Sequence, residues 1–344
     1  MTMVRRNPLQ SAIGALLAVG LLVSGIMAAT GTIRNTALTC PGGSGFGFQP
    51  GYGYGYAYDN IYGYGCGSGA PTTSTSAPTT TTTIPPPVGN PKRFIDSGYC
   101  LVANDGGVFC FNDNFNGSLI GKRLNSPIVA ADASPNVPNA YYMFAADGGV
   151  FAFGGAPFFG SMGGKPLNKP IVGGRVTPDG GGYWLVASDG GIFAFGTARF
   201  FGSMGGRPLN KPIVGMAGLY PFGSGYWLVA SDGGIFAFGA ATFFGSMGGK
   251  PLNQPIRNMD GTQDGLGYWF VASDGGIFAF GSARFFGSMG GKPINKPIVS
   301  MRGTSTSRGY GLVATDGGVF DFGDAPFFGS TGSLTLNAPI VDFF

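Results

Sequence analysis

Residues Lys169 to Gly206 read KPIVGGRVTPDGGGYWLVASDGGIFAFGTARFFGSMGG. Four short apolar runs stand in this stretch, at Ile171 to Gly174, Tyr183 to Ala187, Ile192 to Phe195 and Arg199 to Met204, and Gly, Pro, Asp or Thr punctuates each junction. Such runs between turn residues read as β-strands. The Asp-Gly-Gly at Asp189 is the most informative joint, because Asp-Gly between alternating apolar runs signals a tight hairpin and glycine accepts positive φ without steric cost.

The same joint occurs six times, at Asp105, Asp147, Asp189, Asp232, Asp274 and Asp316, with spacings of 42, 42, 43, 42 and 42 residues. A period that even means one supersecondary unit stacked on copies of itself. Four strands in about 42 residues is the size of a propeller blade, as in WD40-type repeats. The ends of the array favour a ring over an open solenoid. The first copy lacks the opening strand, while NAPIVDFF, Asn337 to Phe344, repeats that strand at the other end and stops. Pairing the two fragments gives six complete blades and removes the exposed edges an open sheet must protect. The expected fold is all-β: a six-bladed β-propeller over 93–344, four antiparallel strands per blade, closed by the C-terminal strand.

Two cysteines test the hairpin register. Five residues before each turn aspartate stand Cys100, Tyr142, Trp184, Trp227, Trp269 and Gly311; five after stand Cys110, Ala152, Ala194, Ala237, Ala279 and Asp321. Both positions change together in the first copy, as cross-strand neighbours would if Cys100 and Cys110 formed a disulfide.

Upstream of the repeats the chain follows other rules. Arg5 and Arg6 precede an uncharged stretch from Ala12 to Ala29, which makes 1–30 an export signal. Small residues at Ala28 and Ala29 permit cleavage, the reading the Gly- and Ser-diluted core favours, whereas an uncleaved segment of about 18 residues is just long enough to anchor in a bilayer. Either way the remainder is expected outside the cell or on its surface. Residues 31–69 are a Gly/Tyr-rich low-complexity segment, with Cys40 and Cys66 placed to close a loop by a disulfide, and 70–92 are a Thr/Pro-rich stalk. An alternative role for the Gly/Tyr tract is adhesive self-association.

Chemistry is sparse. The chain contains no His and all sixteen acids are Asp, so Ser-His-Asp groupings and His-based zinc sites cannot be built. No cofactor and no metal site is expected, and the net charge of +4 is too mild for a dedicated nucleic-acid binder. The turn aspartates read as fold signals, since Asp hydrogen-bonds its own turn; a ring of calcium or sugar ligands would need further oxygen donors. The GGKPLNKP connections supply a cationic rim that includes Lys165, Lys211 and Lys292, a candidate docking surface for anionic wall polymer.

Near-identical copies permit a subtraction, because a specific site must lie where copies differ. Five residues after the Pro that opens each first strand stand Asp132, Arg175, Ala217, Asp260, Arg302 and Phe344. These positions should ring the axis at the end opposite the turns. Asp132, Arg175, Asp260 and Arg302 could clamp a polar ligand there. Alternatively they pair between neighbouring blades, Asp132 with Arg175 and Asp260 with Arg302. The tryptophans at 184, 227 and 269 are expected to be buried rather than presented to sugars.

The unit GYWLVASDGGIFAFG, at Gly182 to Gly196 and again at Gly225 to Gly239, followed by FFGSMGGKPLNKPIV, resembles repeats of exported actinobacterial proteins. Those proteins are taken to be β-propellers and are sometimes joined to cell-wall hydrolases, a domain this chain lacks. The hairpin is also distantly similar to quinoprotein-type blades, although no quinone site accompanies it. The resemblance covers about Gly98 to Phe344 and implies location and shape. The resulting expectation is a non-catalytic binding or scaffold module at the cell envelope, with cell-wall glycan or a surface protein as partner and membrane contact only through an uncleaved N-terminal segment. The alternatives are a glycan-cleaving propeller enzyme using Asp pairs and a structural or adhesive surface component.

Overall fold

The computed structural model describes residues 95–344, which fall within one unit, Thr83–Phe344. The segments read from the sequence as an export signal, a Gly/Tyr tract with a Cys40–Cys66 disulfide, and a stalk lie outside the described residues. The strands in chain order are β1 (Tyr99–Ala103), β2 (Val108–Phe111), β3 (Ile128–Ala133), β4 (Tyr141–Ala145), β5 (Val150–Phe153), β6 (Ile171–Val176), β7 (Gly182–Ala187), β8 (Ile192–Gly196) and β9 (Ile213–Gly218). They continue as β10 (Gly225–Ala230), β11 (Ile235–Gly239), β12 (Ile256–Gly261), β13 (Gly267–Ala272), β14 (Ile277–Gly281), β15 (Ile298–Gly303), β16 (Gly309–Ala314), β17 (Val319–Gly323) and β18 (Ile340–Phe343). They form six three-stranded antiparallel sheets, five from consecutive strands and one in the order β18-β1-β2. The architecture is all-β and propeller-like.

The hairpins are built as the sequence requires. In every Asp-Gly-Gly turn the Asp carboxylate accepts the N–H of the second Gly at 2.9–3.0 Å. The first Gly has φ between 76° and 79°. A Cβ at Gly190 would in addition lie 2.6 Å from the Cβ of Met204, so the turn needs glycine twice over. The cross-strand register follows, with Trp184 opposite Ala194 and Cys100 opposite Cys110, and the two cysteines are disulfide-bonded.

The fourth expected strand is absent. Arg199 to Met204 and its counterparts form no ladder, so each sheet has three strands rather than four. Aromatic side chains hold this segment instead. Trp184 Nε1 donates to Arg199 O at 2.8 Å, while Tyr226 of the following sheet donates its hydroxyl to Gly202 O at 2.6 Å and accepts the Phe201 N–H at 3.1 Å. Gly202, at φ 134°, would place a Cβ 2.6 Å from the Phe238 ring. The segment therefore leaves its own sheet and lies against the next one. Its paired phenylalanines divide accordingly, Phe201 packing inward on Tyr226 and Phe200 standing exposed.

Neighbouring sheets are joined by one repeated backbone bond. The residue after each middle strand accepts the N–H of the next sheet's first Ile: Asn104 from Ile128, Ala146 from Ile171, Ser188 from Ile213, Ser231 from Ile256, Ser273 from Ile298 and Thr315 from Ile340. The last of these reaches β18, whose other edge pairs with β1. The first strands pack side by side in the order β3, β6, β9, β12, β15, β18 and then β3 again. Between the sheets lie the apolar seams, where Trp184, Trp227 and Trp269 are fully buried, as expected.

One seam is irregular. Gly311 and Asp321 stand where three other copies carry Trp and Ala, and a Cβ on Gly311 would meet Asp321 Oδ1 at 2.8 Å and Ile95 Cδ1 at 2.9 Å. Ile95 and the carboxyl thus occupy space that an indole fills elsewhere. Both carboxyl oxygens are buried without a hydrogen-bond partner, and burial pushes the Asp321 pKa up to about 7 from 3.8. The folded pKa exceeds the unfolded one, so this group's stability is fully present below about pH 4 and is lost as pH rises to about 7. Asp321→Ala, which restores the residue of the sister hairpins, should flatten that dependence and stabilise the chain at pH 8. The expected gain is about 1–2 kcal/mol, well below full conversion of the shift, because the residue as a whole is only half-buried and nearby water screens its sealed carboxyl. Thermal melts at pH 5 and pH 8 check this; a variant with the wild-type difference between the two melts would refute it.

Candidate functional site

The residues that differ between copies meet on the axis, at two levels of the first strands. At the end away from the turns, Asp132, Arg175, Asp260 and Arg302 are all buried, with Arg302 fully inaccessible. Asp132 and Asp260 favour the charge of the neighbouring Arg175 and Arg302, but the short ion pairs of the two arginines run farther than the neighbour pairing expected from the sequence. Arg302 Nη1 pairs with Asp132 Oδ1 at 3.2 Å and its Nη2 with Asp342 Oδ2 at 3.7 Å, so the guanidinium reaches across β18 to β3. Arg175 Nη1 lies 3.9 Å from the same Asp342 oxygen. The neighbour contacts that do form run from carboxylate to backbone: Asp132 accepts the Val176 N–H at 2.8 Å and Asp260 the Gly303 N–H at 2.9 Å. An arginine is long enough to pass over one strand, which a pairing rule based on adjacency overlooks.

Asp342 is the hub that the subtraction missed. It accepts the N–H groups of Ala131 and Phe343 at 3.1 and 3.0 Å and the Ser300 hydroxyl at 2.5 Å. Ser300 in turn accepts from Asn258 Nδ2 at 2.7 Å. These three residues each stand three positions after the opening Pro, where the other copies carry Ala or Gly. Reading that position as well would have found them.

The two arginines are held differently. Burial works against the charge of Arg302, yet Asp132, Asp342 and Asp260 outweigh it and keep its pKa above the ordinary value; Nε and Nη2 also donate to Phe343 O and Ala131 O at 2.9 and 2.8 Å. Burial lowers the pKa of Arg175, and repulsion from Arg302 adds to it. Its Nε has no hydrogen-bond partner and its Nη1 makes only a 3.5 Å contact to Gly174 O.

Toward the turn face the axis opens into a cavity of about 280 Å³, with Arg175 and Asp342 in its lining. Two positions after the opening Pro, five copies place a partly exposed valine around it: Val129, Val172, Val214, Val299 and Val341. The sixth position is Arg257, which is exposed and makes no hydrogen bond or ion pair among the described residues. The result is a cup with a valine rim, sealed at its base by the Asp132–Arg302–Asp342 cluster. No family model matches the chain, and no curated protein does.

The cationic rim lies on the turn face. Lys165, Lys211 and Lys292 are exposed, as are Lys122, Arg123, Lys169, Arg207, Lys250 and Lys296. Lys165 Nζ donates to Ser161 O at 3.2 Å, and Lys292 Nζ stands 6.0 Å from the Phe322 ring centre. The connections and the turns share this face, since Met204 N donates to Gly190 O at 3.0 Å. The six turn aspartates thus sit among the lysines, each with one carboxylate oxygen engaged by its own turn. Among the described residues no group of Cys and Asp is arranged to hold a metal ion, and no helix is long and apolar enough to cross a membrane.

Proposed function

We propose that the chain is an exported, non-catalytic binding or scaffold module of the cell envelope, a closed six-bladed propeller held on its Thr/Pro stalk, whose turn face recognises anionic glycan or an acidic surface protein. The observation that carries this reading is the net positive turn face, with nine exposed cations set among six turn aspartates around an open axial cup. Such a face attracts polyanions over a distance set by the ionic strength. The resemblance of GYWLVASDGGIFAFG to exported actinobacterial repeats and the N-terminal signal support the location.

The enzymatic reading gains no comparable support. A hydrolase needs two carboxylates that touch substrate, whereas Asp132 and Asp260 are buried and occupied by backbone N–H groups, Asp132 also by Arg302. An adhesive role is favoured by one observation: Phe115, Phe158, Phe200, Phe243, Phe285 and Phe327 place one exposed phenylalanine on every repeat.

Binding of the secreted protein to an array of acidic and neutral wall polysaccharides tests the main reading. Retention on acidic polymers should fall steeply between 50 and 300 mM salt, and Lys165→Glu, Lys211→Glu and Lys292→Glu together should lower it by about tenfold or more, as loss of several exposed charge contacts implies. Equal retention of neutral polymers would count against it. Release of reducing ends that Asp132→Asn or Asp260→Asn abolishes would replace it with the hydrolase reading.

A further inference from the structure

The structure assigns a second, more selective element to the same face: we propose that the axial cup binds a single carboxylate-bearing ligand of about monosaccharide size, with Arg257 at the rim and Arg175 in the wall as the groups that take its charge. This deepens the anionic-glycan reading and rests on it for the source of the ligand, a uronic-acid residue of a polymer lying on the cationic rim.

Three observations converge on this assignment. Arg257 breaks a ring of five valines at the one position where every other copy is apolar, and its guanidinium has no partner among the described residues. A lone arginine at such a rim is not needed for packing, since valine serves there five times. Arg175 is the second observation. It is only 4% exposed, lines the cavity, leaves Nε unpaired and has Asp342 as its nearest acid at 3.9 Å. Buried polar groups are normally satisfied, and a buried guanidinium without full hydrogen bonding marks a position where a ligand or ordered solvent completes the set. Third, the single acid in the wall is already engaged. Asp342 accepts from Ser300, Ala131 and Phe343 and pairs with Arg302, so the uncommitted charge of the cup lining is cationic rather than anionic.

Size and lining set the rest of the ligand. A space of about 280 Å³ admits one sugar ring but no branched oligosaccharide, and the valine methyls offer an apolar wall against which the C–H face of a ring can lie. Arginine forks match a planar carboxylate by two parallel N–H···O bonds, which favours a carboxylate over a neutral hydroxyl by the strength of a charge-assisted pair.

The test uses the full secreted protein, isothermal titration at low salt, and three probes: glucuronate, glucose and inorganic phosphate. Glucuronate should bind the wild type in the millimolar range or tighter and at least tenfold more tightly than glucose or phosphate. Arg257→Val, which installs the residue of the other five copies, should weaken it at least tenfold while leaving the thermal midpoint unchanged. Arg175→Lys, which keeps the charge but loses the fork, should weaken it as well. Failure of glucuronate to bind, equal binding of glucose or phosphate, or unaltered binding by Arg257→Val would overturn the proposal. The two readings separate cleanly. Polymer retention that depends on the rim lysines without glucuronate binding removes the cup and leaves the module reading, whereas glucuronate binding without polymer retention does the reverse.

Discussion

Deleting residues 337–344 should abolish cooperative folding of the repeats as a whole. The segment supplies β18, the strand that pairs with β1 among the described residues, and it carries the fully buried Ile340 and Phe343 together with Phe344. Burial of three such side chains is worth about 2 kcal/mol each. Their loss coincides with that of Asp342, which leaves Arg302 and Arg175 with less compensation for burial. Breaking a buried ionic group in this way costs about 3–5 kcal/mol. The sum rivals the entire stability of an ordinary domain, about 5–15 kcal/mol. Urea denaturation followed by tryptophan fluorescence reads the result directly, because Trp184, Trp227 and Trp269 lie in sheets that the deletion does not touch. A truncated chain with the wild-type midpoint would refute the expectation, and recovery of the transition on adding the missing segment as a peptide would strengthen it.

Arg302→Met should have the next largest effect, about 3–5 kcal/mol of destabilisation. Methionine replaces the aliphatic part of the side chain but leaves Asp132 and Asp342 facing one another, and strips the carbonyls of Ala131 and Phe343 of donors they now have. The cost is chiefly that of the orphaned carboxylates, so adding Asp132→Asn and Asp342→Asn should return a large part of it. Denaturation midpoints of the single and triple variants decide the matter. If the single variant is as stable as the wild type, the cluster is not the seal described above; if the triple variant gains nothing, orphaned charge is not the cause.

Much of the fold was legible because its determinants are local. Gly106 and its five counterparts need positive φ, the aspartates need a turn, and Pro followed by Ile and Val opens each first strand; each signal stands in the sequence beside the structure it causes. Arg199 to Met204 was misread as a strand for a related reason. Its short aromatic run between turn residues satisfies the local pattern, while the groups that actually hold it, Trp184 and Tyr226, are 15 or more residues away and act through side chains. The site was half legible. Subtracting copies located Asp132, Arg175, Asp260 and Arg302 on the axis, but which charge meets which depends on the spatial order of the first strands, and Asp342 belongs to the repeat that is split between the two ends of the chain. Arg257 was visible as a departure from valine; its significance required knowing that the valines face a cavity.

The split first sheet has a consequence for how such a chain can change over generations. Both halves of the β18–β1 pair lie outside the run of sheets built from consecutive strands, so recombination that adds or removes one whole unit leaves that pair intact. The charged hub restricts where this is tolerable. Arg302, Asp342, Asp132, Arg175 and Asp260 occupy five of the six first strands, and β9 alone contributes none of them, carrying Gly215, Met216 and Ala217 instead. The fourth repeat is therefore the one whose duplication or loss least disturbs the electrostatics of the axis, and the natural place for lineages of this architecture to differ in size.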